Sequence, residues 1–365
     1  MAFRAGAELI DLQYVQFVGG AQLWPPEPQV PTLWLLVGGF THWYNRFGER
    51  FMEKWDPVRK ECATRDVRTL AKAIEIMEGR GSEHGGVYAS IRHIPPNIVD
   101  FMDEWIQLPK ERWETMKPGL ELAKSGIAIE IGAGTCHFWM GGIKVNEKCE
   151  TNILGLYAAG ECTGGTHGAN RLSGDALAEC IVHGRIAGVN AGKYALEARL
   201  PGINVEQVKK TKELFFQPLS RGEGVNPMKL RTRIQRIAIG KLGIVRDENY
   251  MKEALNELIA IKEKELPMQY CESKGMVYNL LLQESIQNIN RCTLLELIAR
   301  CALERKESRG AHYRRDYPMM DNDNWLNNTV VKLVEGKLQM THTPVHITRP
   351  ELVKIPKGKL KAVGR

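Results

Sequence analysis

The sequence predicts an α/β plus α chain, with mixed strands and helices over residues 1–204 and helices from residue 205 onward. Three observations carry this. Short apolar runs such as Leu9–Phe17 end at glycines, as strands do. A dense glycine-rich stretch, Gly155–Glu179, leads into a segment of helical spacing. Residues 205–307 then alternate Lys/Glu-rich faces with Leu, Ile and Ala at three-to-four spacing, the pattern of a bundle.

Residues 1–20 read as a helix end and a strand over Leu9–Phe17. In residues 21–130, Trp24-Pro25-Pro26-Glu27-Pro28 reads as a rigid extended loop, because proline fixes its own φ and restricts the residue before it. Val67–Gly79 has helical periodicity in Leu70, Ala73, Ile74 and Met77, and Gly85–Ile94 reads as strand with turns. In residues 131–204, Ile153–Ala159 is expected to be a short buried strand that Gly160 lets turn, with a helix after Arg171. Leu177, Cys180, Ile181, Gly184, Ala187 and Gly188 would press a narrow face of that helix onto the sheet. Residues 205–325 form the bundle. In residues 326–365, Val330–Leu333 and Val345–Ile347 read as strands, and the basic run Lys354–Arg365 as a mobile tail.

Composition narrows the function. The net charge is +7, which suits an anionic ligand. No basic run is interleaved with aromatics, so nucleic acid is not an expected partner. The eight cysteines include no Cys-x-x-Cys pair, which argues against an iron-sulfur cluster or zinc in this chain and fits a reducing cytoplasm. The longest apolar stretch, Val30–Phe40, is too short to cross a bilayer. Glu8 and Asp11 interrupt what a signal peptide would keep apolar. No direct membrane insertion is expected, and any peripheral attachment would come through a partner.

The run Gly155–Glu179 places glycines, an arginine and a helix start together, which is how a backbone closes over a flat anionic cofactor. It resembles the second flavin-binding segment of the succinate dehydrogenase, fumarate reductase and L-aspartate oxidase flavoprotein family. Further segments are similar to that family in the same order: Gly48-Glu49-Arg50-Phe51-Met52, Thr64-Arg65-Asp66-Val67, Gly85-Gly86-Val87-Tyr88, His137–Ile143 and Arg305–Pro318. The resemblance implies a partial FAD-binding (Rossmann-like) domain split over residues 1–20 and 131–204. A capping domain at 21–130 and a C-terminal helical bundle complete it. The Gly-x-Gly-x-x-Gly turn that holds a pyrophosphate is not present, since Gly132-Ala133-Gly134 is followed by Thr135-Cys136-His137. Met1 aligns inside the family pattern. A separate N-terminal FAD-binding half is therefore an expected partner, the chain being either truncated or one half of a split subunit.

The resemblance also assigns roles. Arg65 occupies the motif of the proton donor, although an arginine is a poor acid in water. Arg171, His137 and Gly174 match substrate-binding positions, and a planar guanidinium suits a carboxylate. Glu161, Arg171, Ala176 and Leu177 match FAD contacts, the last two through backbone N–H groups. His167 either orients this cluster or caps a turn. Asp175 stands where asparagine is commoner, placing a negative charge near the flavin. No metal is expected. Two departures touch the substrate: Val18 replaces a histidine that helps bind the dicarboxylate, and the apolar Leu33–Phe40 replaces a charged segment. Losing that charge-assisted bond costs about 1.5–3 kcal/mol, roughly tenfold to a hundredfold in affinity. Thr41 and His42 are the nearest polar residues to compensate. Trp24, Trp34, Phe40 and Trp43 would suit a less polar acid.

The implied function is a flavoprotein oxidoreductase that interconverts a saturated and an unsaturated carboxylic acid and exchanges electrons with an iron-sulfur subunit. An L-aspartate or amine oxidase and a non-catalytic docking scaffold are the alternatives.

Overall fold

A computed structural model describes residues 1–24, 41–98, 100, 125–199, 202–349, 351 and 355–361. Leu33–Phe40, with Trp34, lies outside the described residues, as does most of the proline-rich loop.

The chain enters through a short 3-10 turn, Ala2–Ala5, and the strand Leu9–Ile10. The expected strand Leu9–Phe17 is two strands, because Asp11 takes a left-handed conformation (φ 56°) and breaks it. The second piece, Val15–Val18, pairs antiparallel with Thr135–Trp139, with a register shift between Gln16 and Phe17. Leu9–Ile10 lies in a four-stranded sheet between Gly142–Ile143 and Asn327–Val334, with Lys337–Pro344 at the edge. The C-terminal strands are thus built into the same sheet as the N-terminal one. The second of them is Lys337–Pro344 rather than Val345–Ile347. Glu335 (φ 50°) and Gly336 (φ 76°) close a two-residue hairpin that sets the register eight residues earlier. Lys359–Lys361, expected in a mobile tail, is a strand paired with Met319–Asp321.

The capping region is a second antiparallel sheet in the order Gln22–Trp24, Ile129–Ile131, Val87–Ser90, His42–Tyr44. The helix Arg65–Met77 packs against it. Trp43, Phe51, Met52, Val87, Ala89, Ile129 and Ile131 are fully buried in its core. The two crossings into this region run almost in contact: a Cβ on Gly20 would lie 2.0 Å from the Gly132 carbonyl oxygen. No larger residue fits there. Lys72 on the helix is fully buried. It donates to the Gly19 carbonyl and stands 4.7 Å over the Trp43 ring, and burial holds its pKa well below the usual lysine range.

The helices Val205–Ser220, Pro227–Leu242, Glu248–Ala260 and Leu280–Glu304 form the helical region. Asn204, Asn226, Asp247 and Asn279 cap them by accepting first-turn N–H bonds. A polar core ties this region to the sheet. Arg305 and Glu307, both without exposure, pair at 2.7 Å. Arg246 donates to the Gln13 carbonyl (2.7 Å) and to His312 Nδ1 (2.9 Å).

Two expectations in residues 150–190 need correction. Ile153–Ala159 is not a strand: Gly155 (φ 79°) folds it into a turn, and pairing shrinks to a single bridge between Glu150 and Tyr157. The helix Asp175–Glu197 does not press its small-residue face onto the sheet. Leu177 and Ile181 are 76% and 74% exposed, and Cβ atoms on Gly184, Gly188 and Gly192 would meet nothing within 4 Å. Its inner side is mixed instead: Glu179 is its one buried residue, and Ala176, His183, Ile186, Ala187 and Asn190 are half-buried.

Candidate functional site

The site lies where the N-terminus of the capping helix meets the turn Gly168–Gly174. Thr64 is extended (ψ 158°) and the helix starts at Arg65, so the Arg65 side chain leaves the first turn toward that loop. The loop is anchored from behind. Gly310 (φ 54°) approaches so closely that a Cβ there would lie 2.3 Å from the Ala169 carbonyl oxygen, and the Ala311 amide donates to the same carbonyl at 2.9 Å.

Arg65 pairs with neither Asp66 nor Glu61. Its Nη1 donates to Gln16 Oε1 and its Nη2 to Ser173 Oγ, each at 3.0 Å. Glu61 instead holds Arg50 at 2.7 Å, and Asp66 accepts from Asn170 at 2.9 Å. Burial and then the neighbouring Arg171 and Arg68 charges pull the Arg65 pKa below the usual arginine range.

Arg171 is buried. Its guanidinium lies 4.4 Å over the Phe138 ring, a cation–π contact, and its Nε has no hydrogen-bond partner. A buried donor without a partner is costly unless a ligand supplies one, so this atom is available to an anion. Behind Phe138, His167 meets the ring edge-on at 5.2 Å and bonds Glu179 through Nε2 at 2.9 Å. His167 therefore supports the cluster rather than entering it. His137 is exposed on Thr135–Trp139. Desolvation, then the Arg65 and Arg171 charges, hold its pKa below the ordinary histidine value.

The flavin-contact positions lie on the open side of the same loop. Glu161 is exposed in the 3-10 turn Gly160–Cys162, where its Oε1 accepts from the Trp139 amide at 3.2 Å. Gly174 (φ 93°) precedes the helix Asp175–Glu197, so Ala176 and Leu177 fall in the first turn, where N–H groups are free. Gly164, expected to admit a ligand, admits the protein itself: a Cβ there would lie 2.5 Å from the Gly142 nitrogen.

The proposed compensators for Val18 are engaged elsewhere. Thr41 is buried and accepts from the Trp43 indole at 2.9 Å. His42 stacks on His93 at 3.5 Å. Trp43 is core and Trp24 stacks near His84, so neither is free to line a substrate wall. Sequence reading missed Gln16, Asn170, Ser173 and Glu179. Gln16 is the one polar residue of the strand Val15–Val18, but the longer run Leu9–Phe17 also holds Asp11 and Gln13 and does not single it out.

A capping sheet folded back over a glycine-rich turn into a helix N-terminus is the architecture of a flavoprotein. Residues 1–177 match the FAD binding domain family, and residues 231–359 match the fumarate reductase flavoprotein C-terminal family. A CoM/CoB fumarate reductase subunit of Methanothermobacter marburgensis is 36% identical over 87% of this chain and 56% of its own length. The succinate dehydrogenase flavoprotein subunit of Rickettsia conorii is 30% identical over 95% of this chain and 59% of its own. A solved FrdA chain of E. coli quinol fumarate reductase superposes with a TM-score of 0.82 at 27% identity, covering 95% of this chain and 61% of that one. The chain belongs to the succinate dehydrogenase and fumarate reductase flavoprotein family, and it spans under two thirds of the length of these relatives.

Proposed function

We propose that this chain forms the substrate side of an FAD-dependent oxidoreductase that interconverts a saturated and an unsaturated carboxylic acid. The observation that carries this is Arg65 and Arg171, the first held by Gln16 through its guanidinium and the second through its backbone carbonyl, with no carboxylate paired to either guanidinium among the described residues.

Arg171 binds and orients a substrate carboxylate through its unpartnered Nε, held flat by Phe138. His137 lies beside it to accept or donate a further hydrogen bond. Arg65 gives a proton to the carbon next to the one that receives hydride, or takes it in the reverse direction. Its lowered pKa makes this release easier than from an arginine in water. FAD, when bound, supplies the hydride exchange. Glu161, Arg171 and the first-turn N–H groups of Ala176 and Leu177 would hold it. The fit rests on Gly168 and Gly174, where added Cβ atoms would meet nothing within 4 Å. With Val18 at the wall and Thr41 and His42 occupied, a monocarboxylic or weakly polar acid suits the site better than succinate.

An FAD-binding portion with the Gly-x-Gly-x-x-Gly turn, on the same or another polypeptide, and an iron-sulfur electron partner complete the reading. The bare outer face of Asp175–Glu197 supports the first, since an amphipathic helix with its apolar side in water lacks a covering element. The test is to purify the chain alone and with a polypeptide carrying the Gly-x-Gly-x-x-Gly half, record the flavin spectrum, and assay reduction of unsaturated acids by a reduced dye. Flavin binding and turnover are expected with the complement. No flavin binding even then would overturn the reading.

A further inference from the structure

Gln16 is 1% exposed, and both amide N–H groups and one oxygen lone pair are used in this network. Its Oε1 accepts from Arg65 Nη1 at 3.0 Å, while its Nε2 donates to the Arg171 carbonyl at 2.8 Å and to Asn170 Oδ1 at 3.0 Å. The amide orientation follows from chemistry. A guanidinium only donates and a carbonyl only accepts, so the oxygen must face Arg65 and the nitrogen must face Arg171. Asn170 in turn donates to Asp66, the residue after Arg65. The first turn of the capping helix and the Arg171 loop are thereby clasped by one buried side chain.

A group facing the Arg65 guanidinium would ordinarily be a carboxylate, which would satisfy Arg65 and cancel its charge. An amide joins the two elements and cancels nothing. We infer that Gln16 is a charge-preserving positioning residue: it fixes the spacing of Arg65 and Arg171 while leaving both positive charges for a carboxylate ligand. This rests on the anion-binding reading above and adds the residue that keeps the site cationic. A register shift in the pairing with Thr135–Trp139 falls directly after Gln16.

The experiment compares Gln16→Glu and Gln16→Met in the full chain, using malonate as the probe and calorimetry at several salt concentrations. Thermal unfolding is recorded for each. Gln16→Glu keeps the shape and the bond from Arg65 but loses the two donated bonds and adds a charge, so malonate binding is expected to weaken about thirtyfold with a visibly shallower salt dependence. Gln16→Met loses the clasp but not the charge, so its salt dependence stays that of the unaltered chain. Equal losses with equal salt dependence in the two variants would mean a merely structural role and would overturn the inference. Hydrogen exchange tests the clasp without any ligand: Gln16→Met should speed exchange together in residues 65–70 and 168–173, and unchanged exchange there overturns the clasp. If the unaltered chain does not bind malonate, the anion-site reading fails while the exchange result still decides the clasp.

Discussion

At the scale of single residues, Arg65 is unusual in what it lacks. An arginine at a helix start normally finds a carboxylate, and here Asp66 and Glu61 are both committed to other groups. Arg65→Ala in the chain with its complement is expected to lower turnover by roughly two to four orders of magnitude, the range for losing a general acid. Unchanged turnover would remove Arg65 from the proton-donor role. Arg171→Lys should instead weaken substrate binding, because an ammonium cannot lie flat on Phe138 and fork to a carboxylate; a titration of bound acid reads this directly. His312 gives a pH prediction. It is fully buried, its Nδ1 accepts from Arg246, and burial followed by the Arg246 and Arg305 charges holds its pKa well below the ordinary value. The unfolded chain therefore binds a proton that the folded chain refuses. Stability from this group is present above about pH 6.5 and lost as pH falls below it. His312→Gln should flatten that acid-side slope in urea unfolding measured from pH 7 to 5.

At the scale of elements, the helix Asp175–Glu197 separates pattern from placement. Its apolar and small residues sit at helical spacing, and the helix forms, but the apolar side faces water while Glu179 and His183 turn inward. Periodicity reports that a face will be covered. It does not report by what. Ile181→Glu is accordingly expected to leave the melting temperature of the isolated chain within about 2 °C, as for a surface substitution, and to weaken association with the FAD-binding half in a pull-down or calorimetric titration. A large loss of stability in the isolated chain would show that the face is internal after all. The capping helix shows the opposite relation. Of its apolar stripe, Leu70 and Ala73 are buried and Ile74 is half-buried, while Met77 at the C-terminal end is exposed. Lys72 is buried with them, against its residue type, because Trp43 and the Gly19 carbonyl accept it.

At the scale of the whole molecule, the regions are held together by polar contacts that cross long stretches of chain. Arg305 reaches Glu307 and the carbonyls of Trp325 and Asn327, and Asn328 and Thr329 return to Asp11. Glu307→Ala would leave Arg305 buried and unpaired, so we expect a loss of about 3–5 kcal/mol in denaturant unfolding. What the sequence determined by itself is what depends on near neighbours. The helix Arg65–Met77 follows from local spacing, the helices from Val205 to Glu304 from spacing and caps, and the glycine-rich turn into Asp175 from residues that tolerate positive φ. Tertiary structure decided what depends on residues brought together from afar. It broke Leu9–Phe17 at Asp11 and drew Asn327–Val334 into the N-terminal sheet. It left a helix face bare, and it placed Gln16 between two arginines 49 and 155 positions away. Hydrogen-bond partners at such separations leave no periodic trace, because each group is satisfied by whichever complementary atom the fold presents.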